Sequence, residues 1–480
     1  MSTALLPSHA SPSVAGTPPR VVVIGGGLAG MAATVALESA GIKVTLLESR
    51  RLLGGRASSF EDSHTDQLLD TGQHVLLGCC TNLRDFYQRL GVADLIRYEQ
   101  AVHFRDADGR QHDIWALPKL PAPFHLSATL AGFSPLSLRQ RLAIVRAMMA
   151  MIRLSRSDRQ QLSDVSFAQW LQEHNQPPAA IERFYNPVLI GALNDTLDRV
   201  SAAYAILVFQ DAMLSHRAGY VVGVASCPLA KLYERLPCSD LRLGTRVTEL
   251  QFHDRHLTAV KLQSGQILSA DAFILATNRH AAIRLLPEDL RHRDARFTHL
   301  DQFEDVPILS ATLEFDRPVM AETHAAMLAG PLQWLFRKDR QGRIIHGVIS
   351  AAREWVGRSP EQCLPLFEQQ IRVMLPNARS ATLHWGRMIV EKRATYSPSP
   401  GTDRYRPAQA PPDAGIANLF LAGDYTQTGW PATMEGAVRS GYLAAESLLT
   451  RLHVSNAGCR PFLVDDLPLQ WPARLLRHRA

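Results

Sequence analysis

The feature that most constrains the fold is a glycine-rich turn between a strand pattern and a helix pattern near the N-terminus. Residues 20–24 (RVVVI) form a β-branched run typical of a buried parallel strand, and GGGLAG follows at 25–30 without a gap. A helical pattern then closes at Gly41, and a second apolar run ends at Glu48. This order predicts a complete β-α-β unit and therefore an α/β protein.

The turn has the chemistry of a dinucleotide site. Gly25, Gly27 and Gly30 permit a tight turn and let backbone amides approach a pyrophosphate, whose charge is favoured at the N-terminus of the following helix. Glu48 lies eighteen positions after Gly30 and can accept hydrogen bonds from two ribose hydroxyls. A glycine motif alone is weak evidence, but its position between a strand and a helix makes a dinucleotide site the favoured interpretation.

Two further motifs decide which dinucleotide is expected. The chain continues with GGRA at 54–57 and with D-x-G-x-H at 70–74, a continuation that NAD enzymes do not normally carry. With these motifs the sequence resembles the flavin amine oxidase and phytoene desaturase superfamily. That resemblance implies FAD as cofactor and places Arg56 against the pyrophosphate, which suits guanidinium geometry. A surface salt bridge is the competing interpretation of Arg56.

A second flavin segment is predicted near the C-terminus. Residues 418–422 (NLFLA) form a strand pattern that ends at Gly423 and Asp424, and GWPATMEGA follows at 429–437. Asp424 is placed to bond a ribityl or phosphate-linked hydroxyl, and a helix beginning near Thr433 would direct free amides at the flavin ring. The segment departs from amine oxidases, because no cysteine is near Trp430 in the sequence to tether the flavin and no paired-tyrosine cage is evident. Non-covalent FAD is therefore expected, and amine substrates are disfavoured.

The segments DTGQHVLLGCC (70–80), RFYNP (183–187) and 423–441 resemble those of squalene-associated FAD enzymes, the hydroxysqualene dehydroxylases. The resemblance covers about residues 20–449. It implies an apolar isoprenoid substrate whose allylic hydroxyl is removed by hydride transfer from reduced flavin, giving squalene for hopanoid synthesis. A carotenoid or phytoene-type desaturase, an amine oxidase and a prenyl-lipid escort protein without redox function are the alternatives. The electron donor is unidentified, since no second loop for NADPH is visible.

The expected site residues fall into two groups. His74, Tyr425, Trp430 and Glu435 lie beside flavin motifs and are the candidate catalytic residues, with packing or cofactor binding as the alternative for each. Val247 is expected to contact the adenine because the resembling family does so at this position. The predicted FAD-binding residues are Gly25, Gly27, Leu28, Ala29, Gly30, Glu48, Ser49, Gly55, Arg56, Val247, Gly423, Asp424, Thr433 and Met434.

The length of 480 residues predicts more than one structural unit, because single cores stop growing near ~250–300 residues. The expected architecture is a Rossmann-type FAD-binding domain, discontinuous in sequence, with an inserted α+β substrate domain. The cofactor domain is assigned to residues 20–105, 219–294 and 411–452, and the substrate domain to 106–218 and 295–410. Residues 1–19 are predicted to be disordered, and 453–480 to form a C-terminal tail.

Composition limits the partners and the compartment. The net charge of +6 comes mostly from arginine, but nothing in the pattern is typical of a nucleic-acid module. Six cysteines without C-x-x-C spacing predict no metal site and fit a reducing cytoplasm. No apolar run is long enough to span a membrane.

Peripheral membrane contact is nevertheless one interpretation of residues 138–156. Arg139, Arg146 and Arg153 are seven residues apart and form one basic stripe of the predicted helix. Apolar residues cover the rest of its surface, so the helix could rest on the cytoplasmic leaflet of the inner membrane. Core packing is the competing interpretation. The apolar residues are Ile144, Val145, Met148, Met149, Met151 and Ile152.

Overall fold

A computed structural model describes residues 19–62, 67–454 and 461–478. The disordered segment predicted for 1–19 therefore lies, except for residue 19, outside the described residues. In chain order the strands are β1 (Val21–Ile24), β2 (Val44–Leu47), β3 (Ser59–Asp62), β4 (Gln67–Asp70), β5 (Val75–Leu77), β6 (Ile96–Glu99), β7 (Ala101–Arg105), β8 (Gln111–Trp115), β9 (Val222–Ala225), β10 (Asp240–Arg242), β11 (Val247–His253), β12 (His256–Leu262), β13 (Ile267–Ser269), β14 (Ala272–Leu275), β15 (Asp305–Phe315), β16 (His324–Met327), β17 (Trp334–Arg337), β18 (Ile344–Ile349), β19 (Leu383–Tyr396) and β20 (Leu419–Leu421).

The helices alternate with these strands and concentrate between β8 and β9. Two π-helical turns, Ile181–Tyr185 and Gln210–Leu214, continue α-helical segments there. The α-helices are α1 (Leu28–Ser39), α2 (Thr81–Arg89), α3 (Ser127–Gly132), α4 (Leu138–Arg153), α5 (Arg156–Gln161), α6 (Phe167–Glu173), α7 (Pro178–Ala180), α8 (Asn186–Leu193), α9 (Ala202–Phe209), α10 (Arg279–Leu285), α11 (Glu288–Arg293), α12 (Pro360–Met374), α13 (Met434–Arg451) and α14 (Trp471–His478).

A five-stranded parallel sheet organises the cofactor side, in the order β10-β2-β1-β14-β20. Both of its faces are covered, which explains why β1 is an unbroken apolar run rather than an alternating one. Val21 and Val23 pack with α1, α2 and α13, whereas Val22 and Ile24 pack with β11, β12 and α10. The strands come from distant parts of the chain, so the predicted discontinuous α/β domain is confirmed.

Helices α1 and α13 pack closely together on one face of this sheet. A Cβ atom built on Gly441 would lie 2.2 Å from the carbonyl oxygen of Ala29, so only glycine allows this approach. The packing brings the N-termini of α1, which follows β1, and of α13, which follows β20, to the same edge of the sheet. That edge is where the cofactor segments meet.

A seven-stranded sheet in the order β19-β15-β18-β17-β16-β7-β8 organises the substrate side. Alternate residues of β15 face opposite ways, as the two-residue period of a strand requires. Leu309 and Ala311 pack on α12, while Ile308 and Ser310 face a cavity. The predicted boundary between residues 105 and 106 separates β7 from β8, although these strands pair with each other. By strand pairing, this part of the chain begins at Ala101.

Helix α4 corresponds to the helix predicted at 138–156, but its apolar surface divides in two. Ile144, Met151 and Ile152 are buried in the helical core, so core packing accounts for this part of the pattern. Leu138 and Leu142, by contrast, are exposed at the N-terminal half of the helix. The predicted C-terminal tail is also partly helical, because α14 packs against α4. Within the described ranges, no helix has the length and hydrophobicity needed to cross a bilayer.

Candidate cofactor and active site

One cavity of about 960 Å³ joins the two sheets. Its first wall is made of backbone-rich segments around residues 24–29, 47–57, 245–248 and 423–437. Its second wall is made of apolar side chains from the seven-stranded sheet and from α8 and α9. Every predicted FAD-binding residue except Gly30 lies on the first wall. The cavity therefore brings together segments that are up to about 400 residues apart in the sequence.

The glycine turn leaves the N-terminus of α1 open toward the cavity. Gly27 is the N-cap, no side chain caps the helix, and its first turn contains no acidic residue. A Cβ on Gly27 would have Gly55 Cα as its nearest neighbour, at 4.0 Å, so the two glycines leave space between their backbones. Uncapped amides and this narrow gap suit a pyrophosphate, whose charge the helix dipole also favours.

Gly25 and Gly30 have a different function in the turn. Gly25 has a φ of +112°, and a Cβ there would lie 2.7 Å from the carbonyl oxygen of Ala276. A Cβ on Gly30 would lie 1.9 Å from the carbonyl oxygen of Gly25, and Gly30 does not line the cavity. The expectation that Gly30 contacts the cofactor is therefore corrected. Gly30 lets α1 pack against the turn, which positions the amides before it.

Glu48 is buried at the carboxyl end of β2 and is held in place by backbone amides. Its Oε2 accepts a hydrogen bond from Gly26 N at 2.7 Å, and its Oε1 accepts one from Arg50 N at 2.7 Å. The Ser49 hydroxyl also donates to Oε1, at 3.2 Å. A carboxylate has about four acceptor positions, so Glu48 keeps capacity for a ribose hydroxyl on the cavity side.

Arg56 forms an ion pair with Asp424, which is distant in the sequence, and 38% of the Arg56 side chain is exposed. Its Nη2 donates to Asp424 Oδ1 at 2.6 Å, and its Nη1 donates to the Ala394 carbonyl oxygen at 2.9 Å. Both charged side chains line the cavity. The pair joins the first and last cofactor segments and places a cation and an anion beside the glycine turn.

Arg406 holds the loop at 424–430 in position, and no sequence pattern indicated it. This buried side chain donates to the Trp430 carbonyl oxygen at 2.7 Å and to the Asp424 carbonyl oxygen at 3.1 Å. It also donates to the Thr428 hydroxyl at 3.0 Å and to Tyr204 Oη. A lone arginine in an irregular segment gives no periodic signal, so sequence reasoning missed it.

Three of the four candidate catalytic residues line the cavity. His74 lies on its wall, with Nδ1 3.1 Å from the Gly72 carbonyl oxygen, and burial lowers the pKa of its imidazole. Trp430 also faces the cavity, and the Arg439 guanidinium lies 4.7 Å from its ring centroid. Tyr425 does not line the cavity, because it is buried in the core between the parallel sheet and β11.

Glu435 lines the cavity but is fully engaged in structural hydrogen bonds. Its oxygens accept bonds from Asn82 N at 3.1 Å, Asn82 Nδ2 at 3.0 Å and Leu83 N at 2.7 Å. Arg439 Nε donates to it at 2.7 Å. These bonds make Glu435 an anchor between α2 and α13, which leaves it unsuited to proton transfer.

Cys79 lies near Trp430, although the two are far apart in sequence. Cys79 packs with Trp430, and both Cys79 and Cys80 line the cavity. A cysteine is therefore absent near Trp430 in the sequence but present beside it in the structure. A hydrogen bond with Cys80 and burial raise the pKa of the Cys79 thiol well above its usual value. A thiol held protonated is a poor nucleophile, which is consistent with FAD bound without a covalent link.

The second wall is mostly apolar but also contains carboxyl groups. Asp211 lies on it, and burial raises the pKa of its carboxyl to about 6. Sequence reasoning did not select Asp211 because its helical segment carries no flavin motif. The apolar residues of this wall include Val102, Phe104, Ile114, Val188, Leu207, Val208, Ile308, Trp334, Phe336 and Val348.

Comparison with known proteins agrees with this geometry. Residues 28–449 match the family described as flavin containing amine oxidoreductase. The chain belongs to this family. FAD is its cofactor, so the cofactor prediction is confirmed, and the escort alternative, which has no flavin, is set aside.

Sequence relatives and solved structures give complementary information. The 15-cis-phytoene desaturase of Synechococcus elongatus is 26% identical over 90% of this chain and 96% of its own length. The zeta-carotene desaturase of a Synechocystis strain is 25% identical over 90% of this chain and 97% of its own. The cyclohexylamine oxidase of Brevibacterium oxydans superposes with a TM-score of 0.66 at 16% identity, covering 91% of this chain and 100% of its own. That last likeness shows the fold alone.

These relatives correct the expected reaction. The resemblance to hydroxysqualene dehydroxylases predicted reductive removal of a hydroxyl, with squalene as product. That prediction is wrong on this comparison, because the curated relatives that span nine tenths of the chain are named as phytoene and zeta-carotene desaturases. The names of these relatives favour the desaturase alternative, in which the substrate reduces the flavin.

Proposed function

We propose that this flavoprotein desaturates a long apolar polyene of the carotenoid type. The observation that carries the proposal is the apolar wall of the cavity, which continues from the flavin segments into the seven-stranded sheet. A charged or strongly polar substrate would leave its polar groups unpaired against this wall. The names of the sequence relatives support the same substrate class.

Different residues of the chain have different functions in the proposed reaction. Bound FAD supplies the hydride acceptor. Residues 25–29, Glu48, Arg56 and Asp424 bind and orient the cofactor through amides and charges. The apolar wall positions a hydrocarbon chain and excludes water from the reacting carbons. Trp430 offers an aromatic face near positive charge that develops on the polyene.

Anaerobic reduction of the flavin tests this proposal. Oxidised holoprotein is mixed with 15-cis-phytoene or ζ-carotene in detergent micelles, without oxygen or another acceptor. We expect loss of the oxidised-flavin absorbance and a product that lacks two hydrogens by mass spectrometry. Putrescine and cyclohexylamine serve as control substrates, and reduction by these amines but not by either polyene would refute the proposal in favour of amine oxidation.

We also propose that the protein takes its substrate from a membrane surface on the cytoplasmic side. Leu138, Leu142 and Val145 form an exposed stripe on α4, with 65%, 47% and 42% of their surfaces accessible. Trp471 and Leu475 form a second exposed stripe on α14, which packs against α4. Exposed apolar side chains beside arginines are typical of helices that lie in a lipid headgroup layer.

A further inference from the structure

The carboxyl groups on the cavity wall differ in what they bind. Glu48 and Glu435 accept backbone amides, Asp424 pairs with Arg56, and Glu391 accepts the amide of Arg393. For the Asp211 carboxylate, the described residues provide no hydrogen bond. It is therefore the carboxyl on this wall that is free to exchange a proton with a ligand.

The backbone around Asp211 is held in place by its neighbours. Asp211 lies in the π-helical turn that continues α9, and such turns insert an extra residue into a helix, often at functional sites. The preceding Gln210 is tied to the end of α4, since its Nε2 donates to the Met151 carbonyl oxygen at 2.6 Å and to the Leu154 carbonyl oxygen at 3.0 Å. The turn is thus held on the side away from the cavity.

The other neighbours of Asp211 place it beside the flavin segments. Ala212 is buried against Trp430 and Cys79. A Cβ on Gly219 would lie 2.2 Å from the Asp211 carbonyl oxygen, so the following loop supports the turn closely. Asp211 therefore lies where the apolar wall meets the loop that precedes α13.

Charged groups around Asp211 shift the pKa of its carboxyl, although they are hydrogen-bonded to other residues. Burial and the carboxylate of Asp466 raise the pKa of Asp211 to about 6, and Arg159, Arg439 and Arg477 lower it. Each arginine is bonded elsewhere: Arg159 to Gln210, Arg439 to Glu435 and Asp466, and Arg477 to the Ile152 carbonyl oxygen. The Cys79 thiol also interacts electrostatically with Asp211.

From this geometry we propose that Asp211 is the base that accepts the proton released in desaturation, an inference that rests on the proposed function. One C–H bond of the substrate breaks with its electron pair and gives a hydride to the oxidised flavin. The neighbouring C–H bond gives its proton to the Asp211 carboxylate, and its electron pair forms the new C=C bond. The substrate loses two electrons to the flavin, and a quinone-type acceptor takes them up in the next half of turnover. Asp211 releases the proton to solvent.

The first test measures anaerobic flavin reduction by the polyene as a function of pH. We expect the wild-type rate to rise with pH through about 6. At neutral pH, Asp211→Asn reduces the rate about 100-fold, the scale of general base catalysis, and removes the pH step. Asp211→Glu restores part of the rate. Asp466→Asn removes a negative charge and frees Arg439, so it moves the step to lower pH. A full rate with an unchanged pH profile in Asp211→Asn overturns the proposal.

The second test is a binding measurement that does not depend on turnover. Geranylgeranylamine is a cation below pH ~10, and geranylgeraniol is its neutral counterpart. By calorimetry, wild-type protein at pH 8 should prefer the amine by about tenfold, and the preference should fall through pH 6 and be absent in Asp211→Asn. An equal preference in both proteins overturns the role of Asp211. Failure of wild-type protein to be reduced by any polyene, with this amine preference intact, refutes the proposed function and its proton transfer, and leaves Asp211 as an ionised group that faces the ligand.

Discussion

The two walls of the cavity are built in different ways. The wall formed by residues 24–29, 47–57 and 423–437 presents backbone amides and a few fixed charges, and its segments are continuous in sequence. The apolar wall presents single side chains from five strands and two helices, separated by long intervals. Recognition by backbone requires glycine at set positions, whereas recognition by apolar contact requires only volume and shape.

Replacement of Arg406 is expected to have the largest effect on this arrangement, because the Arg406 side chain links the two walls. It donates to Tyr204 on α9 and to four groups of the loop at 424–430. Arg406→Met leaves buried carbonyl oxygens without donors, at about 1–3 kcal/mol each. We expect a loss of about 4 kcal/mol in the free energy of unfolding, and release of FAD. Urea denaturation and flavin content measure both, and Arg404→Met, at an exposed neighbour, is the control.

Gly30→Val tests whether the backbone wall depends on packing behind it. The new Cβ would lie 1.9 Å from the Gly25 carbonyl oxygen, so α1 must move away from the turn. We expect a loss of about 3 kcal/mol in stability, together with weak FAD binding. Gly132→Ala in α3 is the control, since its Cβ meets nothing within 4 Å. A Gly30→Val protein that binds FAD normally would contradict the packing function.

Ala192→Phe addresses the apolar wall alone. Ala192 is partly exposed on the cavity surface at the end of α8, where it borders the helical core, so a larger side chain there reduces the volume of the cavity. We expect normal FAD content but about tenfold slower flavin reduction by a polyene, or ~1.4 kcal/mol. Ala192→Ser, which adds little volume, is the control. Loss of FAD in Ala192→Phe would show that the two walls are not separable.

The difference between the walls also explains what the sequence could reveal. The parallel sheet, the turn at 25–30 and the segment at 423–434 were predictable because strand pattern and glycine spacing are local. Arg406 and Asp211 were not, because each acts through neighbours that are distant in sequence and neither lies in a repeating pattern. Proximity along the chain was misleading in two places: Tyr425 is adjacent to Asp424 yet faces the core, and Cys79 is far from Trp430 yet packs against it.

Substitutions on α4 are expected to have the smallest effect on stability, and they separate exposed from buried apolar residues on one helix. Leu142→Asp changes an exposed position, so the free energy of unfolding should change by less than about 0.5 kcal/mol. Co-sedimentation with liposomes containing anionic lipid should nevertheless fall. Met151→Asp, on the buried face of the same helix, places a charge in the helical core and should unfold the protein. If Leu142→Asp binds liposomes as well as wild-type protein does, exposed apolar residues on this helix do not mediate membrane contact, and the apolar pattern of α4 reflects core packing alone.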